Sequence, residues 1–156
     1  MPADPVVTIA LERADQPDVV RLIDALDAYQ RPLYPAASHH GIGVQALVQP
    51  NVLFAVARIN TGAAVGCGAV VLESARGELK RMFVLPAFRG TGVARALLAF
   101  LELQARAKGC ALFVLETGIR QPEALAFYAR AGYVRCDPFG DYTHDPNSVF
   151  MQKASP

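Results

Sequence analysis

The feature that most constrains the fold is a glycine-rich turn that joins a strand to a helix near the middle of the chain. The strand is predicted from Glu78 to Val84, and Arg89-Gly90-Thr91-Gly92-Val93-Ala94 leads into a helix that runs to Lys108. Apolar residues recur along this helix at every fourth position, as on a helix with one buried face. The next run, Ala111 to Leu115, is apolar throughout and is typical of a strand buried on both faces. This order predicts a β-α-β crossover at the centre of a mixed sheet.

Further strands and helices surround this crossover. Apolar patterns separated by turn residues predict the order β-α-β-β-β-α-β-α-β-β, and 156 residues suit one domain, so residues 1–156 are predicted to form a single α/β (α+β) domain. A long loop, Arg31 to Gly43, follows the first helix, and loops of this length are often functional. The other predicted elements are strands at Val6 to Leu11, Leu53 to Ile59, Ala63 to Leu72, Tyr133 to Arg135 and Val149 to Gln152, and helices starting near Asp15 and at Gln121 to Ala131.

Composition and charge argue against some classes of binding partner, nucleic acids and membranes among them. The chain has 15 basic and 14 acidic residues, so it lacks the excess positive charge of a general nucleic-acid binder. Met1 to Asp4 lack the basic start and apolar run of a signal peptide, and no apolar stretch approaches the length of a membrane span. The cysteines, Cys67, Cys110 and Cys136, form no C-x-x-C pair, which favours reduced thiols. We therefore expect a cytoplasmic protein with neither nucleic acid nor membrane as a partner.

The glycine-rich turn has the chemistry of an anion site. The first N–H groups of a helix have no partner within the helix, and the helix dipole adds partial positive charge at the same end. Gly90 and Gly92 remove Cβ atoms that would keep an anion from the backbone, and Arg89 adds a permanent positive charge. The turn is therefore predicted to hold a diphosphate group.

The same residues carry a family resemblance. Arg89-Gly90-Thr91-Gly92-Val93-Ala94 resembles the R/Q-x-x-G-x-G/A signature of the GCN5-related (GNAT) N-acetyltransferases, and it stands five residues after the strand-ending Val84 as in that family. Phe127-Tyr128-Ala129-Arg130-Ala131-Gly132-Tyr133 resembles a second GNAT segment, L-Y-x-x-x-G-F. The resemblance covers about Glu78 to Lys153. It implies the GNAT fold, which is a central, mixed and mostly antiparallel sheet of about seven strands with three to four helices, splayed at strands four and five.

The resemblance also implies acetyl-coenzyme A as the cofactor. The turn would cradle the pyrophosphate, and the main chain of the fourth strand would bind the pantetheine arm where the two strands splay. Many family members carry an asparagine seven residues before the helix tyrosine, and Gln121 stands at that position here. The implied cofactor-binding residues are Met82, Phe83, Val84, Arg89, Gly90, Thr91, Gly92, Val93, Ala94, Arg95, Gln121 and Tyr128.

Acetyl transfer to an amine needs one group that takes a proton from the ammonium and one that gives a proton to the departing thiolate. By resemblance Tyr128 faces the cofactor sulfur, and a phenol stays protonated at neutral pH, so Tyr128 is the candidate general acid. Glu78 resembles the general-base glutamate of the histone-acetylating members. Glu116 is an alternative base because it follows a fully apolar run, where desolvation would raise its pKa. The sequence does not choose between these glutamates and water.

The acceptor is predicted to bind beside the loop after the first helix, which borders the acceptor side of the splayed strands in this fold. The histidines of the loop suit a carboxylate group, and an aspartate near the chain end suits a cationic amine. No metal is predicted, because adjacent histidines lack the i, i+4 spacing of metal ligands. The predicted acceptor-binding residues are Tyr34, Ser38, His39, His40 and Asp141.

The function implied by the resemblance is direct transfer of an acetyl group from acetyl-coenzyme A to the primary amine of a small molecule. Cys110 is not expected to act as a nucleophile, since no histidine stands close to it in the sequence. Two other functions stay open. One is acetylation of a protein lysine or N-terminus, and the other is a non-catalytic module that senses coenzyme A or an amino acid. A homodimer also stays open.

Overall fold

A computed structural model describes residues 6–155, so the predicted absence of a signal peptide at Met1 to Asp4 lies outside the described residues. The predicted order of strands and longer helices is confirmed, with shifts of a few residues at the element ends. Three short elements were not predicted, a single-turn α-helix just after the loop and two 3-10 helices at Ala36–Ser38 and Pro86–Phe88. The elements are β1 Thr8–Leu11, α1 Pro17–Gln30, α2 Val44–Leu47, β2 Val52–Arg58, β3 Ala64–Glu73, β4 Arg76–Val84, α3 Val93–Ala107, β5 Leu112–Gly118, α4 Pro122–Arg130, β6 Val134–Cys136 and β7 Ser148–Ala154.

The strands form one seven-stranded sheet in the order β1-β2-β3-β4-β5-β7-β6. All neighbouring strands are antiparallel except β4 and β5, which run parallel. This parallel pair requires a crossover, which α3 supplies as predicted. The edges of the sheet are β1, with four residues, and β6, with three.

Helices cover both faces of the sheet because alternate residues of the central strands point to opposite faces. Phe54 and Val56 of β2 pack in the cluster that contains α1 and α2. Their neighbours Leu53 and Ala55 pack in the cluster that contains α3 and α4. Apolar side chains at helical spacing fill the inner faces of the two long helices, as the sequence predicted. Within residues 6–155 no helix has the length and apolarity to cross a membrane.

The two parallel strands separate after a short stretch of pairing. Pairing joins β4 and β5 only from Arg76 with Leu112 to Leu79 with Leu115, although β4 continues to Val84 and β5 to Gly118. The main chain of both strands beyond these pairs therefore has no partner strand across the gap. This opening confirms the predicted splay at strands four and five.

A β-bulge in β4 lies at the start of the opening. Cys67 of β3 faces Phe83 and Ala69 faces Lys80, so one residue of β3 opposes two residues of β4, Arg81 and Met82. Arg81 has a φ of +58°, a left-handed conformation that a non-glycine residue rarely adopts. The bulge therefore bends β4 at the point where it leaves β5.

Candidate active site

A cleft of about 290 Å³ fills the opening between β4 and β5. Its floor is made by residues 79–82 of β4 and 115–118 of β5. The end of α1 and the following loop line it on one side. Ala124 and Tyr128 of α4, together with Gln121 just before this helix, line it on the other. Because these helices belong to opposite faces of the sheet, the cleft joins the two faces at the point where the sheet is open.

The turn before α3 has main-chain N–H groups without acceptors, as expected of an anion-binding site. None of the six consecutive N–H groups from Gly90 to Arg95 donates a hydrogen bond to an acceptor in residues 6–155. Gly90 and Gly92 have φ of +75° and +86°, which glycine adopts without steric cost. A cluster of unsatisfied N–H groups at the start of a 15-residue helix fits the diphosphate of coenzyme A.

The guanidinium of Arg89 lies on the side of this turn next to the end of β4. Its Nε donates a hydrogen bond to the carbonyl oxygen of Val84 at 3.1 Å. The same group lies 5.7 Å from the centre of the Tyr29 ring and 5.6 Å from that of Phe83. Arg89 is therefore held against the end of β4 and gives the turn a fixed positive charge.

Tyr128 reaches the cleft from α4. Its ring is buried against Phe127 and Tyr133, with ring centroids 5.2 and 5.7 Å away. Burial raises the pKa of its hydroxyl, and no group in residues 6–155 hydrogen-bonds to that hydroxyl. Tyr128 therefore stays protonated and keeps its donor for a ligand in the cleft.

Glu116 is the carboxylate that lines the cleft. It stands directly after the buried part of β5, and its Oε2 accepts a hydrogen bond from Ser148 Oγ at 2.7 Å. Burial raises the pKa of this carboxyl above its usual value, and the Ser148 hydrogen bond opposes that rise. No cation lies within salt-bridge distance of it among the described residues. Glu116 is thus a partly desolvated carboxylate with a proton affinity suited to a general base.

Glu78, the other candidate base, is engaged elsewhere. Its Oε2 accepts a hydrogen bond from the Tyr142 hydroxyl at 2.6 Å and lies 3.2 Å from Lys80 Nζ. Its side chain is 17% exposed and does not line the cleft. The structure therefore places Glu78 in an ion network beside the cleft and Glu116 inside it.

Tyr34 closes the end of the cleft at β5. Its hydroxyl donates to Gln121 Oε1 at 3.1 Å and accepts from the main-chain N–H of Arg120 at 3.2 Å. A Cβ atom added to Gly118 would lie 1.7 Å from this hydroxyl, so the ring packs directly on the glycine. Gln121 thus lines the cleft and bonds to Tyr34 of the loop after α1.

The remaining predicted acceptor residues divide into two groups. His39 Nε2 donates to the carbonyl of Tyr34 at 2.9 Å, and His40 Nε2 lies 3.4 Å from Asp145. Ser38 Oγ accepts a hydrogen bond from Asn147 Nδ2 at 3.2 Å, and all three loop residues line the cleft. Asp141, in contrast, is exposed and does not line the cleft.

Comparison with known proteins identifies the family. A sequence model of the acetyltransferase (GNAT) domain matches residues 50–135, which run from the start of β2 into β6 and contain the turn, the opening and Tyr128. The chain belongs to the GNAT acetyltransferase family. The resemblance seen in the sequence is therefore confirmed, and the chain is an acyltransferase by family.

Three GNAT-related proteins illustrate the similarity. The IAA acetyltransferase of Azospirillum brasilense is 46% identical over 151 residues, which cover 96% of this chain and 98% of that protein. An aminoalkylphosphonate N-acetyltransferase of Salmonella typhimurium is 34% identical over 93 residues, or 56% of this chain and 60% of that protein. The crystal structure of a candidate acyl-CoA N-acyltransferase from Klebsiella pneumoniae has a TM-score of 0.82 and 39% identity, and covers 96% of this chain and 97% of its own.

Several residues of this GNAT site were not predicted from the sequence. Asp145 and Asn147 contact the loop after α1, while Lys80 and Arg81 contact it from β4. A signal for the β4 pair was available, because two adjacent cations inside a strand that is otherwise largely apolar need buried partners. Apart from Glu78, which is close to Lys80 in the sequence, the partners could not be predicted from the sequence, since they lie about 40 residues or more away along the chain.

Proposed function

We propose that this GNAT protein transfers the acetyl group of acetyl-coenzyme A directly to the primary amine of a small molecule. The observation that carries the proposal is the cleft at the opening of the sheet. It places a free phenol, Tyr128, and a partly desolvated carboxylate, Glu116, along one cavity. An acyl transfer to an amine needs one proton donor and one proton acceptor, and these two side chains supply both roles.

The donor would enter from the face that carries α3 and α4. Residues Gly90 to Arg95 offer six N–H groups without an acceptor in residues 6–155 for the diphosphate. The main chain of β4 from Met82 to Val84 has no partner strand on its β5 side and offers hydrogen bonds to the pantetheine amides. A cofactor that follows this path brings its thioester toward the α4 side of the cleft. Tyr128 lies on that side.

The chemistry balances with the residues in the cleft. The ammonium of the acceptor gives a proton to the Glu116 carboxylate, directly or through water, and the resulting amine attacks the thioester carbonyl carbon. A C–N bond forms and the C–S bond breaks, so the coenzyme leaves as a thiolate, and the new amide nitrogen loses its second proton to water. Tyr128 donates its phenolic proton to that sulfur and regains one from solvent. Glu78 remains the alternative base, but Tyr142 and Lys80 already occupy its carboxylate.

The size of the cleft favours a small acceptor. Tyr34 closes the β5 end, and residues 38–41 close the side nearest α1, so the compartment is bounded by the chain itself. A peptide substrate would need an open groove that admits main chain on both sides of the reacting amine. The Salmonella relative named for aminoalkylphosphonates supports an acceptor of low molecular weight.

The test is turnover by the purified protein with a panel of small amines, amino acids and amine-bearing peptides. Release of the free thiol is followed together with the mass of the acetylated product. We expect thiol release that depends on a small amine and a product heavier by one acetyl group. Binding of acetyl-coenzyme A without thiol release would indicate a sensor, and transfer to peptides alone would indicate a protein acetyltransferase.

A further inference from the structure

Two consecutive cationic side chains leave β4 at its bulge and contact the main chain of the same loop. Lys80 Nζ donates to the carbonyl of His40 at 2.9 Å, and Arg81 Nε donates to the carbonyl of Ile42 at 2.9 Å. Successive residues of a regular strand point to opposite faces of the sheet. The bulge and the positive φ of Arg81 redirect the strand, so both cations reach one loop.

Both cations are largely buried and paired. Arg81 is 7% exposed, and its guanidinium bonds to Asp27 of α1 at 2.6 Å. Lys80 is 13% exposed and contacts Glu78 and the Tyr142 hydroxyl, at 3.2 and 2.7 Å. Charge-assisted hydrogen bonds of this kind are stronger than neutral ones, and a buried cation that loses its partner is costly. We call residues 78, 80, 81 and 142 the β4 clamp.

The loop is pressed closely against this clamp. Gly41 lies between the two bonded carbonyls, and a Cβ atom added there would lie 2.8 Å from Arg81 Cζ. His40 also packs edge-on against the Tyr142 ring, with centroids 5.3 Å apart. Residues 38–41 line the cleft, so the clamp sets the position of its wall.

We propose that Lys80 and Arg81 are positioning residues for acceptor binding, and that Glu78 serves them by anchoring Lys80 and Tyr142. The inference rests on the proposed acetyl transfer, because the clamped loop borders the acceptor side of the cleft. The proposed cofactor path along α3 and the end of β4 does not include residues 38–42, the part of the loop that the clamp holds. Loss of the clamp therefore weakens acceptor binding and leaves cofactor binding intact.

The first test compares Lys80→Met with Lys153→Met. Lys153 is the matched control, because it is also a partly buried lysine with a carboxylate partner, Glu102 at 2.9 Å, and it does not line the cleft. In Lys80→Met we expect the KM for the amine to rise about tenfold, as suits the loss of the charge-assisted hydrogen bond that holds the loop at the His40 carbonyl. The Kd for acetyl-coenzyme A should stay within about twofold. Lys80→Arg, which keeps the donor, should restore most of the acceptor affinity.

A second measurement does not depend on activity. Proteinase K cleavage within residues 31–43, mapped by mass spectrometry, reports how often the loop opens. We expect faster cleavage in Lys80→Met and an unchanged rate in Lys153→Met. An unchanged cleavage rate in both variants would overturn the proposed role of the clamp. So would a loss of acetyl-coenzyme A affinity in Lys80→Met as large as its loss of acceptor affinity. A wild-type protein that acetylates no amine would overturn the proposed function, and the cleavage comparison would still decide whether the clamp holds the loop.

Glu78→Gln separates anchoring from catalysis. If Glu78 anchors the clamp, the variant should raise the KM for the amine and keep kcat close to the wild-type value. If Glu78 is the general base, kcat should fall by roughly 10²–10⁴-fold instead. A large loss of kcat with unchanged KM would therefore overturn the assignment of Glu78 to the clamp.

Discussion

At the scale of single residues, burial suits the two titratable groups Tyr128 and Glu116 to opposite proposed roles in the cleft, one as an acid and one as a base. It raises the pKa of both Tyr128 and Glu116. In the proposed reaction, a higher pKa of the phenol would secure the proton for the departing thiolate. A higher pKa of the carboxyl group would bring its proton affinity closer to that of the acceptor amine. One physical cause would thus prepare an acid and a base in the same cavity.

The role of Tyr128 can be tested against a second buried tyrosine. Tyr128→Phe should lower kcat by roughly 10²–10⁴-fold with little change in the KM for acetyl-coenzyme A. Its stability should change little, because its hydroxyl has no partner in the described chain. Tyr133→Phe is the control, since it removes a hydroxyl that donates to Glu102 at 2.7 Å. That variant should lose about 1–3 kcal/mol of stability and keep its kcat. Near-normal kcat in folded Tyr128→Phe would reject the general-acid role.

The raised pKa of Glu116 predicts a pH-dependent stability. The native state holds this proton more tightly than the unfolded chain, whose carboxyl has the ordinary pKa of 4.5. The free energy of unfolding therefore falls as the pH rises from 4.5 through the higher folded pKa. Glu116→Gln removes this titration, so its Tm should rise relative to the wild type over that window while its activity at neutral pH falls.

Thermal melts and rates measured from about pH 4 to 8 test this expectation. The exposed Glu123 of α4 provides the control, and Glu123→Gln should follow the wild type in both measurements. A Tm difference between Glu116→Gln and wild type that does not vary with pH would contradict the desolvation of Glu116. Full activity in Glu116→Gln would contradict its role as the base.

Close packing at Gly118 predicts a steric effect. Gly118→Ala would place a methyl group within 2.0 Å of the Tyr34 ring, so the ring must move. Overpacking of this kind costs about 1–3 kcal/mol, which a thermal or urea melt can measure. Gly43→Ala is the control, because nothing lies within 4 Å of the added atom there. In a Tyr34→Ala background the cost of Gly118→Ala should largely disappear, and a cost that persists would rule out this contact as its cause.

At the scale of elements, the sequence predicted the strands and long helices well but missed the bulge. The periodicity of apolar residues and the glycines at element ends are local signals, and they predicted every strand and three of the four α-helices. Arg81 gave no such signal, because a positive φ at an arginine has no marker in the sequence. The short α2 was also missed, since four residues carry too little periodicity to distinguish a turn from a helix.

The turn before α3 is the element whose function can be tested most directly. Gly92→Val should weaken acetyl-coenzyme A binding by at least about tenfold, because the side chain crowds the N–H groups and the valine resists a φ of +86°. Gly62→Val is matched for backbone strain, since Gly62 has a φ of +88° in the turn between β2 and β3. Both variants should lose stability, yet only Gly92→Val should lose cofactor affinity in calorimetry. Equal affinity in the two variants would reject the turn as the diphosphate site.

At the scale of the whole molecule, the sequence could name the candidate residues but not their neighbours. The cleft joins the end of α1, β4, β5, α4 and the segment before β7. Tyr34 and Gln121, for example, are 87 positions apart and share a hydrogen bond. The sequence did not choose between Glu78 and Glu116 as the base. The packing of Tyr142 and Lys80 around Glu78, and the position of Glu116 in the cleft, distinguish them in the structure. Likewise, the sequence could not show that Asp145 contacts the loop at His40 while Asp141 is exposed away from the cleft, because these neighbours are set by the packing of distant segments.

The arrangement of the whole site predicts a ternary complex rather than an acetylated enzyme. Burial raises the pKa of Cys67 to about 12 and also raises the pKa values of Cys110 and Cys136, so none of the three is an activated thiol. Initial-rate lines for the two substrates should intersect. A variant with all three cysteines changed to alanine should keep kcat within about threefold. Parallel lines, or an acetyl group found on a cysteine by mass spectrometry, would show a covalent route.

The lengths of the edge strands bear on how copies of the protein behave at high concentration. An edge strand presents a row of free N–H and C=O groups that can pair with another chain and start aggregation. Here the ten-residue β3 lies inside the sheet, while β1 and β6 expose only four and three residues at the two edges. Each edge thus offers a template too short for sustained pairing. The sheet is open at the cleft between β4 and β5, where reactants are proposed to enter, and its edge strands are short where neighbouring copies could extend it.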